Sequence, residues 1–120
     1  MHWEEKLDKY RLRCDLIEMG KDLTLAVYGG DTPHVGSVVM SIARPSLTGK
    51  GISVTTSVLN GLGHKDELIG RLFAESAAKK KNCTVVCACG IHIDNITSKQ
   101  LSQIQEASQK LLNKVLETID

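Results

Sequence analysis

The chain has 120 residues, a formal net charge of +1, 42% hydrophobic residues and 24% charged ones. That length suits one α+β domain (residues 1–120) with no room for a second full core, and the near-neutral charge argues against a nucleic-acid partner, whose phosphates call for a basic face. No stretch approaches the ~20 apolar residues of a membrane span, and Met1-His2-Trp3-Glu4-Glu5-Lys6 is charged where a secretory leader turns apolar, so a cytoplasmic protein with no membrane partner is expected.

A cytoplasmic location implies reduced thiols. Cys14, Cys83, Cys87 and Cys89 include no C-x-x-C pair and read as small buried hydrophobes. Aromatics are confined to Trp3, Tyr10, Tyr28 and Phe73, so Val, Ile, Leu and Ala must build the core.

The first ten residues show no clear period and are read as a short arm. Leu12, Cys14 and Leu16 alternate, giving a strand to Glu18, and Leu23, Leu25 and Val27 give a second through Tyr28. Gly29-Gly30-Asp31-Thr32-Pro33-His34 breaks the pattern with turn chemistry. Val35 to Ala43 is a third strand, Pro45 to Gly51 a turn, and Ile52 to Val58 a fourth strand. After Asn60-Gly61-Leu62-Gly63 the period becomes helical, with Leu68, Ile69, Leu72, Phe73 and Ala77 in phase from Lys65 to Lys80. Gly70 inside that helix predicts close packing on a sheet, and Lys79-Lys80-Lys81 reads as its solvated end. Cys83 to Cys89 is an unbroken apolar run, predicted as a central strand covered on both faces. Thr97-Ser98-Lys99-Gln100 is a capping box opening a second helix with Leu101, Ile104, Ser108, Leu111, Leu112, Val115 and Ile119 on one face. The expected order is β-β-β-β-α-β-α, a mixed, mainly antiparallel sheet with both helices packed on one face.

His34, His64 and His92 each follow a strand and stand beside glycine. If the second, third and fourth strands form an antiparallel meander, and the helical crossover joins parallel strands, all three histidine loops meet at one sheet edge. Both helices begin there, offering free N–H groups to an anion, with Lys65 adding positive charge. Gly61 and Gly63 allow close backbone approach, but Gly-x-Gly-His-Lys lacks the Walker spacing. Asp94 and Asn95 either hold His92 or cap the last helix. No metal site is predicted; His34, His64 and His92 are the alternative set, with no His-x-His or His-x-x-x-His pair to fix their geometry.

The strings Gly29-Gly30-Asp31-Thr32-Pro33-His34-Val35-Gly36, Gly63-His64-Lys65-Asp66 and Gly90-Ile91-His92-Ile93-Asp94-Asn95-Ile96-Thr97 resemble the prenylated-flavin chaperones of the LpdD type, over roughly Leu12 to Ile119. The resemblance implies a non-catalytic accessory chaperone that binds prenylated FMN, or FMN, and supplies or matures it for a UbiD-type decarboxylase. It also implies a fold similar to the proteasome assembly chaperones, and a homodimer. The implied cofactor-binding residues are Gly29, Gly30, Asp31, Thr32, Pro33, His34, Gly36, Gly63, His64, Lys65, Asp66, His92, Asp94 and Asn95, with Lys65 toward the phosphate and no catalytic residue. Two other readings stand beside this one. One is a small enzyme using a three-histidine metal or acid–base site on a phosphorylated substrate. The other is a protein-assembly chaperone without a small ligand.

Overall fold

A computed structural model describes residues 1–61 and 65–119, and of Lys65 the main chain alone. The elements are β1 (His2–Leu7), β2 (Tyr10–Met19), β3 (Asp22–Gly30), β4 (Ser37–Pro45), β5 (Ile52–Asn60), α1 (Lys65–Lys81), β6 (Thr84–His92) and α2 (Ser98–Thr118). The segment expected as an arm is therefore an edge strand. Trp3 and Glu5 pair with Cys14 and Leu12 across the turn at Asp8-Lys9, and Leu7 is fully buried. Its short alternation is interrupted by charged residues, so no period marked it.

The sheet runs β1-β2-β3-β6-β4-β5. Every neighbouring pair is antiparallel except β3 and β6, which are parallel in register from Leu23↔Val85 to Gly30↔His92. The expected meander of β3, β4 and β5 does not form, because β6 is inserted between β3 and β4. An apolar strand gains more from the centre, hydrogen-bonded on both edges, than from an exposed edge. The strand directions nevertheless come out as the meander required. β3, β5 and β6 all end at one edge, and the Pro45–Gly51 turn lies at the other.

Both helices cover one face. α1 lies on β4, β6 and β5, and α2 lies on β1 and β2. The buried side chains of that face and of both helices form a single cluster, from Leu12, Cys14, Leu25 and Val39 to Phe73, Leu111 and Val115. The buried stripe of α1 is Asp66, Gly70, Phe73, Ala74, Ala77 and Ala78, which is rotated from the expected one: Leu68 is 76% exposed and Leu72 36%. Small residues let the helix axis lie close to the sheet. A Cβ on Gly70 would stand 3.0 Å from Val39 Cγ2, which accounts for the helical glycine. α2 opens on the expected capping box, with Thr97 Oγ1 accepting from Gln100 N and Gln100 Oε1 accepting from Thr97 N.

The opposite face of the sheet is covered by neither helix. In β6 the buried Val85, Cys87 and Cys89 alternate with half-buried Thr84, Val86 and Ala88, so the expected cover on both faces is present on one. The patch continues through Val38, Met40 and Ile42 on β4 and Leu59 on β5. Toward β1 and β2 it becomes polar: Tyr28 Oη donates to Asp15 Oδ2 at 2.5 Å, and His2 contacts both Asp15 and Glu4. Those carboxylates raise the His2 pKa, Glu4 contributing first.

All four thiols are free and buried. Burial pushes Cys14 up to about 12 and raises Cys87 and Cys89 well above an ordinary thiol. Because the thiolate is the nucleophile, folded protein at pH 8 is expected to leave Cys14, Cys87 and Cys89 unmodified by iodoacetamide, whereas denatured protein reacts at all four cysteines. Intact-mass spectrometry reads the difference.

Candidate functional site

The loop after β3 and the loop after β6 are joined at the shared edge by their main chains. Asp31 N and Thr32 N donate to His92 O at 2.8 and 3.4 Å, and Gly36 N donates to Cys89 O at 2.9 Å. The end of β5 joins through Gly61 N, which donates to Gly36 O at 2.7 Å. Asn60 accepts from Ser37 Oγ and donates to Glu67 Oε1 on α1. Three chain segments distant in sequence thus form one rim. Gly63, His64 and the side chain of Lys65, expected on the same rim, lie outside the described residues.

Glycines make this approach possible. Gly30 has φ 88°, and a Cβ there would overlap the His92 carbonyl. At Gly90 a Cβ would overlap His34 O, so the His34 loop lies directly across β6 at that residue. At Gly36 a Cβ would overlap the Asp66 carboxylate. At Gly29 a Cβ would overlap Arg11 O on β2, so this glycine also allows close contact between β3 and β2.

Asp66 links the loops to α1. Its carboxylate is buried, accepts from Ile91 N at 3.0 Å through Oδ1, and stands 3.4 Å from His34 Nε2 through Oδ2. The other His34 nitrogen is 3.2 Å from Thr32 O. The His34 and His92 rings meet edge to face, with centroids 6.3 Å apart. His92 Nε2 is 2.9 Å from Asp94 Oδ1, while Asp94 N donates to Asp31 Oδ2 at 2.9 Å. Asp94 therefore holds His92, and the cap of α2 is Thr97 rather than Asp94 or Asn95. Asn95 takes φ 53° in the intervening turn. Thr32 is placed by its hydroxyl on Asp31, and Pro33 is exposed.

Beside this polar cluster, between the first turns of α1 and α2, is a cavity of about 250 Å³. Asp66 and His92 border it, and its walls are aliphatic: Leu68 and Ile69 from α1, Ile93 and Ile96 from the loop, Leu101 and Ile104 from α2. Sequence reasoning placed Leu68 and Leu101 in the core. Their signal was position: both are apolar residues in the first turn of a helix that starts at the glycine-rich edge. Tyr28, the one aromatic near the edge in sequence, bonds Asp15 and does not border the cavity. The arrangement can receive a ligand with one apolar and one polar end, the usual composition of a small-molecule pocket.

The fold is similar to that of one chain of a proteasome-assembly chaperone complex. The chain superposes with a TM-score of 0.54 at 10% identity on a chain from the crystal structure of a novel chaperone complex for yeast 20S proteasome assembly, covering 100% of this chain and 98% of that one. Residues 6–120 match the family described as prenylated flavin chaperone LpdD-like domain, and the chain belongs to that family. It is 26% identical over 109 residues to Protein LpdD of Lactiplantibacillus plantarum, across 89% of this chain and 76% of that protein.

Two substitutions test the rim. Asp66→Ala leaves the buried Ile91 N–H without a partner and is expected to cost about 1–3 kcal/mol, whereas Asp66→Asn keeps an acceptor and costs less; urea unfolding separates them. Gly90→Ala drives a methyl group into the His34 carbonyl and is expected to cost roughly 1–3 kcal/mol by the same measurement, with the His34 amide shifted in NMR spectra.

Proposed function

We propose that this chain binds prenylated flavin mononucleotide, or FMN itself, at the histidine-bearing edge and supplies or matures it for a UbiD-type decarboxylase, without catalysing decarboxylation. The observation that carries this reading is the shared wall between the aliphatic cavity and the His34–His92–Asp66 cluster, in a chain of the prenylated flavin chaperone family. A flavin has an apolar ring edge, a hydrogen-bonding ring edge and a phosphate. The cavity suits the first and the imidazoles suit the second. The phosphate is assigned to the N-terminus of α1 and to Lys65, because a helix N-terminus and a lysine both favour an anion. Gly29, Gly30 and Gly36 bring backbone close to the ligand, Asp31, Thr32, Pro33, Asp94 and Asn95 shape the rim, and the sequence motif adds Gly63 and His64 to the binding set.

The same reading includes a homodimer and a cytoplasmic location. Among the described residues no helix is long and apolar enough to cross a membrane. Support for the dimer comes from the uncovered sheet face, where Met40 and Ile42 are 39% and 42% exposed beside Val38, Val86 and Ala88. A contiguous apolar face on a central strand is the kind of surface that a second copy covers by two-fold pairing.

Titration of the purified protein with reduced prenylated FMN and with FMN, followed by flavin absorbance and fluorescence, tests the ligand. Saturable binding is expected, weakened about tenfold or more by His34→Ala or Lys65→Ala, the loss of one charge-assisted hydrogen bond; absence of affinity for either flavin would refute the reading. Sedimentation tests the dimer: Met40→Glu and Ile42→Glu are expected to convert a dimer to folded monomers, and a wild-type protein that sediments as a monomer removes that part of the proposal.

A further inference from the structure

We infer that Asp31, His92 and Asp94 form a binding site for one divalent transition-metal ion of the Mn²⁺ or Zn²⁺ class. The three residues come from different places in the chain: the loop after β3, the last residue of β6 and the loop after β6. One ligand atom from each, two carboxylate oxygens and an imidazole nitrogen, lies within 4.8 Å of the others. Metal–ligand bonds of about 2.0–2.2 Å place atoms of one coordination shell up to roughly 4.4 Å apart. Small rotations of exposed side chains therefore close the set.

The residues are held before any ion arrives. Asp94 N donates to Asp31 Oδ2, and the backbone of Asp31 is fixed by its N–H bond to His92 O. The two carboxylates face each other, and among the described residues neither is paired with a lysine or arginine, only Asp94 with His92. An ion at their centre removes that repulsion. His34 is the neighbouring imidazole, but its nitrogens are directed at Asp66 and at Thr32 O, so it does not join the set. One histidine and two aspartates make a mixed nitrogen and oxygen set of the kind that Zn²⁺, Mn²⁺ or Fe²⁺ accepts.

The site adjoins the aliphatic cavity through one residue, His92, which borders both. Three protein ligands leave coordination positions open, as in sites where the metal meets a further ligand. The chemical class that fills them is an anionic oxygen donor, such as a phosphate or carboxylate. The inference goes beyond the flavin reading and does not require it.

The test uses the full chain, stripped of metal and free of flavin, titrated by calorimetry with ZnCl₂ and separately with MnCl₂. Expected is one ion per chain for at least one of the two, with a Kd of about 1–100 µM. Asp31→Asn, Asp94→Asn and His92→Gln are each expected to weaken it about tenfold or more, while Glu106→Gln, on the outer surface of α2, leaves it unchanged. All three positions are exposed, and circular dichroism confirms that each variant is folded. No saturable binding of either ion below about 1 mM, or equal binding by the Asp31→Asn/Asp94→Asn double variant, overturns the site. A flavin titration repeated in chelator reports separately on the flavin reading.

Discussion

β6 is hydrogen-bonded on both edges, parallel to β3 and antiparallel to β4, and the rest of the molecule is arranged around that double pairing. A parallel partner forces the chain to return through a crossover, and α1 is that crossover. The same pairing brings the ends of β3 and β6 side by side, so that Gly30 stands opposite His92. Antiparallel pairing with β4 then carries the start of β4, and the loop before it, back over the end of β6. The rim is a consequence of strand order before it is a matter of side chains.

Close main-chain contacts turn this juxtaposition into a defined site. His92 O accepts from two amides of the loop after β3, and Gly90 leaves space for the carbonyl of His34. Any side chain at Gly90 would lift the His34 loop away from β6. Asp66 performs a related function from the helix side. Its buried carboxylate anchors the first turn of α1 to Ile91 N and faces His34. A carboxylate at a helix N-terminus is favoured by the dipole, and here that preference also fixes where the helix meets the sheet.

The two helices leave apolar surface in two places with different geometry. Between their first turns the surface is concave and touches the polar cluster, which suits a small ligand. On the far face of the sheet it is broad, borne by β4, β5 and β6, and bounded by the polar network of His2, Glu4, Asp15 and Tyr28. A broad face needs a partner of similar extent. Shape thus separates two roles that hydrophobicity alone does not distinguish.

Local chemistry was legible in the sequence. Alternating apolar residues marked β2 to β5, the capping box marked the start of α2, Gly70 marked a close helix–sheet contact, and glycine beside histidine marked the rim. These follow from periods and backbone preferences that each segment carries alone. The sequence did not determine which strands are neighbours, because β6 is apolar on both sides and its pattern fits any covered position. It did not mark β1, whose charged residues break the alternation and which gains its place only by pairing with β2. Of the partners of His92, Asp94, two residues away, was among those the sequence offered, but Asp31 arrives only through the parallel register of β3 with β6. Leu68 and Leu101 read as core because helical spacing reports phase, whereas burial depends on what packs opposite. Segment identity was a local property of the chain; adjacency, burial and the composition of the site were decided by tertiary pairing, since long-range contacts depend on groups that no single segment contains.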